Sequence, residues 1–192
     1  MALRTLVLGI GDAGLQALYQ LEAFNLKNLK LVAINTAHPL KIPEKSVVES
    51  LTISGGAFGS GGNPELAAKI ARESQSDIEA LLYPEPARVY LLAGFGGGTG
   101  TGMVPVIASM LHEIGIAVYA IVSMPYIFEG PMRMQIAERG LSELTNGNIN
   151  DAIVVRANTV ATRMLSNYPD IRDAMTLLSQ SLVWHLLAHL TG

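Results

Sequence analysis

The chain has 192 residues, of which 49% are hydrophobic and 15% charged, and its 13 basic and 16 acidic residues give a formal net charge of −3. This composition is typical of one well-packed α/β domain rather than a disordered chain, and balanced charge without a Lys/Arg cluster argues against nucleic acid as the main partner. The chain has no cysteine, which excludes disulfides. No apolar stretch is long enough to span a bilayer. The absence of a signal peptide before the first strand predicts a cytoplasmic protein.

Strands and helices alternate in the order of the chain. Apolar and β-branched runs predict strands at 5–8, 29–34, 47–53, 88–93, 116–122 and 152–155. Helices are predicted at about 13–24, from Pro64 onward, at 76–82, 100–114 and 131–145, and in two closing segments, the last over 170–190. Continuous apolar strands separated by helices indicate a parallel sheet covered on both faces. We therefore expect a doubly wound, Rossmann-like α/β fold with strand order near 3-2-1-4-5-6, forming a single domain over 1–192.

The most informative segment is a glycine-rich run between the fourth predicted strand and its helix. Glycines allow close approach of the backbone to a ligand, and the N–H groups at a helix start favour anions. No Gly-Lys-Ser/Thr motif occurs, so phosphate charge would be met by amides, by Mg²⁺ and by hydroxyls. We therefore predict a phosphate site formed by Gly96, Gly97, Gly98, Thr99, Gly100, Thr101 and Gly102.

A second glycine-rich loop follows the first strand, where residues 9–14 fit G-x-G-x-x-G. Taken alone, this pattern is typical of dinucleotide-binding folds. Such folds require a carboxylate after the second strand for the ribose, whereas this chain has Asn35 there and no acid before Glu44. The loop is therefore a good phosphate loop and a weak indication of NAD(P), which stays as the least favoured alternative.

Several motifs together resemble the FtsZ/tubulin family. Beside Gly-Gly-Gly-Thr-Gly-Thr-Gly, the resemblance rests on Pro125-Tyr126-Ile127-Phe128-Glu129-Gly130 with Arg133-Met134 and Ala137-Glu138 after it, and on the loops Ala33-Ile34-Asn35-Thr36 and Gly59-Ser60-Gly61-Gly62-Asn63-Pro64-Glu65. It covers residues 3 to about 190 in the family's order. It implies a tubulin/FtsZ GTPase domain that binds GTP or GDP with Mg²⁺ and acts as an assembly switch in cell division or the cytoskeleton.

The resemblance also assigns nucleotide-binding residues. Glu129 is expected on the ribose hydroxyls, Arg133 against the nucleotide and Asn158 on guanine, while Met175 and Gln180 take the places of a base-packing aromatic and a base-pairing aspartate. The remaining implied contacts are Gly11, Asp12, Ala13, Gln16, Asn35, Gly61, Gly62, Asn63 and Pro125. Because a Gln carbonyl accepts fewer and weaker bonds than a carboxylate, we expect guanine preference to be reduced.

Asp12 departs from the glycine-rich first loop of FtsZ and allows two interpretations. A carboxylate beside phosphates is repulsive unless a cation intervenes, so Asp12 is a candidate Mg²⁺ ligand. Alternatively, it caps the helix that follows. Both stay open on the sequence alone.

No catalytic residue is predicted, because the acidic loop that completes hydrolysis in the family has no counterpart here and no second domain is expected. The last predicted helix is apolar on most sides, which favours self-association or another protein covering it. Our first hypothesis is therefore a GTP-binding assembly switch with slow or no hydrolysis alone. The alternative is a nucleotide-binding regulatory module that does not polymerise and has relaxed base choice.

Overall fold

The computed structural model describes residues 5–36, 42–53, 59–147, 149–164 and 170–191. The strands are β1 (Thr5–Ile10), β2 (Leu29–Asn35), β3 (Glu49–Thr52), β4 (Arg88–Gly94), β5 (Ala117–Met124) and β6 (Asp151–Arg156). The helices are α1 (Gly11–Glu22), α2 (Pro64–Glu73), α3 (Gln75–Ala80), α4 (Thr99–Glu113), α5 (Pro131–Asn146), α6 (Ala157–Met164) and α7 (Ile171–Thr191), with a 3₁₀ turn at Ile127–Glu129. Part of the predicted glycine-rich loop, 54–58, lies outside the described residues.

The six strands form one parallel sheet in the order β3-β2-β1-β4-β5-β6, which confirms the predicted topology. Ile10 at the end of β1 lies in register with Ile34 of β2 and Ala93 of β4, and Gly94 of β4 with Ser123 of β5. The carboxyl ends of the central strands therefore meet at one edge. The connections change direction between β1 and β4, and open α/β sheets bind ligands at such a switch point.

The third strand is shorter than predicted because its expected first residues make other contacts. The backbone N–H of Val47 and the hydroxyl of Ser46 both donate to the carboxylate of Glu22 on α1. This segment therefore packs against α1, and pairing with β2 begins only at Glu49.

Helices cover both faces of the sheet. Apolar side chains of α2, α3, α4 and α5 fill one core, and those of α1 and α7 fill the other. On α7, Leu178, Leu182 and Leu186 are buried, whereas Ile171 and Trp184 are 63% and 59% exposed. The predicted apolar helix is thus packed along one stripe and open on another. Among the described residues, no helix is both long and apolar enough to cross a membrane.

Candidate functional site

A cleft of about 630 Å³ opens at the carboxyl edge of the sheet. Its floor is formed by the ends of β1, β4 and β5, and α1 and α7 face each other across one end. Of the residues predicted for the site, those that line the cleft are Asp12, Ala13, Gln16, Gly97, Gly98, Thr99, Gly100, Pro125, Glu129, Arg133 and Met175. The structure therefore brings four separate segments of the chain to one cavity.

The start of α4 presents backbone amides to this cleft. Its cap residue, Gly98, makes no side-chain capping bond, and the N–H of Gly102 donates to the carbonyl of Gly98. The N–H groups that precede Gly102 in the helix have no partner in the helical hydrogen-bond pattern. Since Gly97–Gly100 line the cleft, an anion there would meet these amides and the positive end of the helix.

Close packing holds this loop in place. A Cβ on Gly98 would lie 2.4 Å from Ser60 Oγ, and one on Gly100 would lie 2.4 Å from the carbonyl oxygen of Gly94. Gly96 has a φ of 101°, and its N–H donates to Thr101 Oγ1 over 2.9 Å. The Thr101 hydroxyl is buried and shapes the loop, so it does not lie on the cleft surface where the sequence placed it.

Other predicted residues shape the neighbouring loops rather than line the cleft. Asn63 Oδ1 accepts from Leu66 N–H at the start of α2 over 3.0 Å. Gly61 and Gly62 have φ values of 56° and 79°, and Gly11 has 71°, which is the left-handed region that favours glycine. Gly102 packs directly on the carbonyl of Pro64.

A chain of hydrogen bonds joins the ends of the strands behind the loop. Asn35 Nδ2 donates to Asp12 Oδ1 over 3.0 Å, and Asn35 Oδ1 accepts from Thr36 N–H over 2.8 Å. Thr99 Oγ1 lies 2.9 Å from Thr36 Oγ1 and 3.3 Å from Ser60 Oγ. Thr36 and Ser60 were not predicted as site residues, because only the fold brings their hydroxyls to Thr99.

The position of Asp12 within α1 excludes one of its two interpretations. The cap of α1 is Ile10, which makes no side-chain capping bond, and Asp12 is already inside the first turn. The helix-cap interpretation is therefore wrong. Among the described residues no group of three or more His, Asp or Glu side chains could hold a metal. A cation at Asp12 would thus need further ligands from outside this set, such as phosphate oxygens or water, which Mg²⁺ accepts.

The opposite wall carries an ion pair fixed by the backbone. Glu129 Oε1 accepts from Tyr126 N–H over 2.8 Å, and Oε2 accepts from Arg133 Nη1 over 2.7 Å. Burial, and secondarily the charge of Glu129, raises the pKa of Tyr126. Asn158 Oδ1 accepts from Ile127 N–H over 3.2 Å, so Asn158 supports this turn and does not itself line the cleft.

On α7 the structure separates two predicted residues. Met175 lines the cleft, but Gln180 is exposed elsewhere on the helix. Five helical residues correspond to about 140° of rotation, whereas four correspond to about 40°. Ser179, together with Thr176, therefore faces the cleft in place of Gln180.

The fold is a doubly wound α/β domain whose cleft lies at the topological switch point of the sheet, where such folds bind ligands. The family model described as "Tubulin/FtsZ family, GTPase domain" matches residues 4–165. The chain belongs to the Tubulin/FtsZ family.

Individual relatives support this assignment. The chain is 34% identical over 172 residues to the cell division protein FtsZ of Aquifex aeolicus and 34% identical over 166 residues to FtsZ 1 of Methanocaldococcus jannaschii, covering 88% and 85% of this chain. It spans 46% and 44% of those relatives' lengths. A solved FtsZ dimer from M. jannaschii has a TM-score of 0.84 at 30% identity, covering 95% of this chain and 53% of that one. For CetZ2 of Haloferax volcanii the TM-score is 0.81 at 23% identity, with 95% of this chain and 57% of that one covered, a likeness of fold alone.

Proposed function

We propose that this chain is a guanine-nucleotide-binding domain that holds GTP or GDP with Mg²⁺. The observation that carries the proposal is the shared cavity of Gly97–Gly100 at the uncapped start of α4 and the Glu129–Arg133 pair. Amides suit the phosphates and a carboxylate suits ribose hydroxyls. Membership of a family described by its GTPase domain supports the same ligand.

The charges in the cleft favour holding a triphosphate over attacking it. The cations among the described lining residues are Arg133 and Arg172, and the carboxylates are Asp12 and Glu129. Both oxygens of Glu129 already accept protein hydrogen bonds, which leaves Asp12 near the phosphate loop. We assign Asp12 to a Mg²⁺ ion and no residue to activation of water, so hydrolysis by this chain alone is proposed to be slow or absent.

Assembly controlled by the nucleotide is the second part of the proposal. A relative of known structure is an FtsZ dimer, and this chain exposes large apolar side chains beside the cleft at Ile127, Phe128 and Met132. Exposed apolar groups at this position suit a contact between copies that senses the bound nucleotide. Light scattering during addition of GTP tests this part, and GTP binding without any rise in scattering would favour the non-polymerising regulatory module instead.

The experiment that tests binding is calorimetric titration of nucleotide-free protein with GTP, ATP and NAD, each with and without Mg²⁺. We expect GTP to bind, Mg²⁺ to strengthen it, and NAD not to bind. A chain that binds NAD and neither triphosphate would refute the proposal and restore the dinucleotide interpretation.

A further inference from the structure

Gln20 occupies a position in the cleft that the sequence did not single out. It lies on α1 one turn after Gln16 and two turns after Asp12, and its side chain lines the cleft opposite α7. Its Nε2 donates to the carbonyl oxygen of Thr176 across the cleft over 3.4 Å, a long hydrogen bond. The residue therefore joins the two helices at the end remote from the phosphate loop.

The carbonyl oxygen of Gln20 is unusual among the polar atoms that the structure describes. Oε1 is a buried polar side-chain atom without one among the described residues. An unpaired buried acceptor is unfavourable and uncommon in folded proteins, and an N–H group of a ligand in this cleft would supply the missing donor. Because the terminal torsion of Gln is soft and its one bond is long, the amide can turn its carbonyl into the cleft.

Two hydroxyl groups of α7 that line the same end of the cleft already donate hydrogen bonds. The Thr176 hydroxyl donates to the carbonyl of Arg172 over 2.8 Å, and the Ser179 hydroxyl donates to that of Met175 over 3.2 Å. Both hydroxyl protons are therefore used within α7. The amides of Gln16 and Gln20 remain as groups that combine a donor with an acceptor at this end.

We propose that Gln20 reads the edge of a purine base, an inference that rests on the proposed nucleotide function. With the phosphates at the start of α4, the base would lie between α1 and α7, near Met175. Guanine presents an N–H beside a carbonyl oxygen, and adenine presents an amine beside a ring nitrogen. A neutral amide pairs with either arrangement by turning over, so Gln20 accepts both purines and discriminates weakly between them.

Two substitutions separate this role from a structural one. Gln20→Met keeps the length of the side chain and removes both hydrogen-bonding groups, so we expect GTP and ATP each to bind about tenfold more weakly. Gln20→Glu supplies a carboxylate that accepts two N–H groups from guanine and repels the ring nitrogen of adenine. We expect it to raise the GTP-to-ATP affinity ratio by about tenfold or more.

The controls test whether a variant has changed triphosphate binding or the overall fold. Tripolyphosphate, which has no base, should bind wild type and both variants equally, and this also shows that the variants are folded. Gln135→Met and Gln135→Glu, at an exposed position of α5 outside the cleft, should leave every affinity unchanged.

The possible results distinguish a failure of the role of Gln20 from a failure of the proposed function. An unchanged GTP-to-ATP ratio in Gln20→Glu, together with unchanged affinities in Gln20→Met, would overturn the role of Gln20 and leave the proposed function intact. If the Gln20 variants are unchanged and Gln180→Glu raises the GTP-to-ATP affinity ratio, the residue that contacts the base would be Gln180, as the sequence predicted. Wild-type protein that binds neither nucleotide would instead refute the proposed function, and this inference with it.

Discussion

The substitution Gly102→Ala has two effects of opposite sign on the stability of the fold. Inside α4, alanine should favour the helix by about 1 kcal/mol relative to glycine. However, the new Cβ would lie 2.0 Å from the carbonyl oxygen of Pro64 and 2.9 Å from Ala67 Cβ. Because the backbone of α2 cannot rotate away as a side chain can, α2 would have to withdraw by about 1 Å, and overpacking of this kind costs about 3 kcal/mol or more. We expect a net loss of about 2 kcal/mol in unfolding free energy.

Thermal unfolding followed by circular dichroism measures this loss. For a domain of this size, about 2 kcal/mol corresponds to a fall in Tm of roughly 4–8 °C. Gly97→Ala is the matched control, since its Cβ would meet nothing within 4 Å, and its Tm should stay within about 2 °C of wild type. Since Gly97 lines the cleft, that control should nevertheless weaken nucleotide binding. A Tm for Gly102→Ala equal to or above wild type would refute the reasoning, because helix propensity would then outweigh the contact with α2.

The same contact argument gives a pairwise test on the other side of α4. A Cβ on Gly140 of α5 would lie 2.3 Å from Thr101 Cγ2, a side-chain methyl. Thr101→Ser removes that methyl and keeps the hydroxyl that accepts from Gly96 N–H. Gly140→Ala should therefore cost less in the Thr101→Ser background than in wild type, with a coupling of about 1 kcal/mol. Additive effects of the two substitutions would show that the helices adjust elsewhere.

Three further outcomes follow from the charged and buried groups. Asp12→Asn should raise GTP affinity about tenfold without Mg²⁺, because a repulsive charge is lost, and lower it with Mg²⁺; titrations that change in the same direction under both conditions would contradict the metal assignment. The Tyr126 hydroxyl donates to the carbonyl of Ala174 over 2.7 Å, and the pKa of Tyr126 is raised from the ordinary 10.0. The contribution of this hydroxyl to the unfolding free energy is therefore complete below pH 10 and declines as the pH rises through the folded-state pKa. Tyr126→Phe should cost about 1 kcal/mol at neutral pH and reduce the loss of stability above pH 10, as measured by urea unfolding at pH 8 to 11. Glu129→Gln keeps an acceptor for Tyr126 N–H but loses the pair with exposed Arg133, so Tm should change little while GTP binds roughly fivefold more weakly; an equal affinity would remove Glu129 from ribose binding.

The sheet order and the position of the cleft were predictable from the sequence. Apolar runs define the strands, and handedness of the crossovers leaves few topologies for six parallel strands. Loops after strand ends must then meet at one edge, which placed residues 96–102 and Asp12 together without any knowledge of side-chain contacts. The sheet order and the edge at which the loops meet can be predicted because they depend only on the hydrophobic periodicity and on how the strands are connected.

Side-chain partners were much less predictable. The prediction of Gln180 assumed a position along α7, and a shift of one residue turns a helical side chain by about 100°; Ser179 faces the cleft instead. Thr36 and Ser60 reach Thr99 only because three loops converge. The carbonyl of Gln20, unpaired among the described residues, depends on the packing between α1 and α7, and no sequence pattern marks it.

One end of the cleft is lined mainly by backbone and the other by side chains, and this difference bears on function. At the end formed by the start of α4, Gly100 and Gly102 pack against other backbone atoms, whereas Gly97 has room for a Cβ. Substitutions of Gly100 or Gly102 should therefore act on the fold and on binding together. The end between α1 and α7 is lined by side chains, among them Gln20 and Met175. Under the proposed function, phosphate binding should therefore be tied closely to the fold, whereas base choice should depend on a few side chains. We therefore expect that substitutions between α1 and α7 alter the preference among purines while the affinity for the triphosphate is kept. For that reason the GTP-to-ATP affinity ratio is a more informative test than GTP affinity alone.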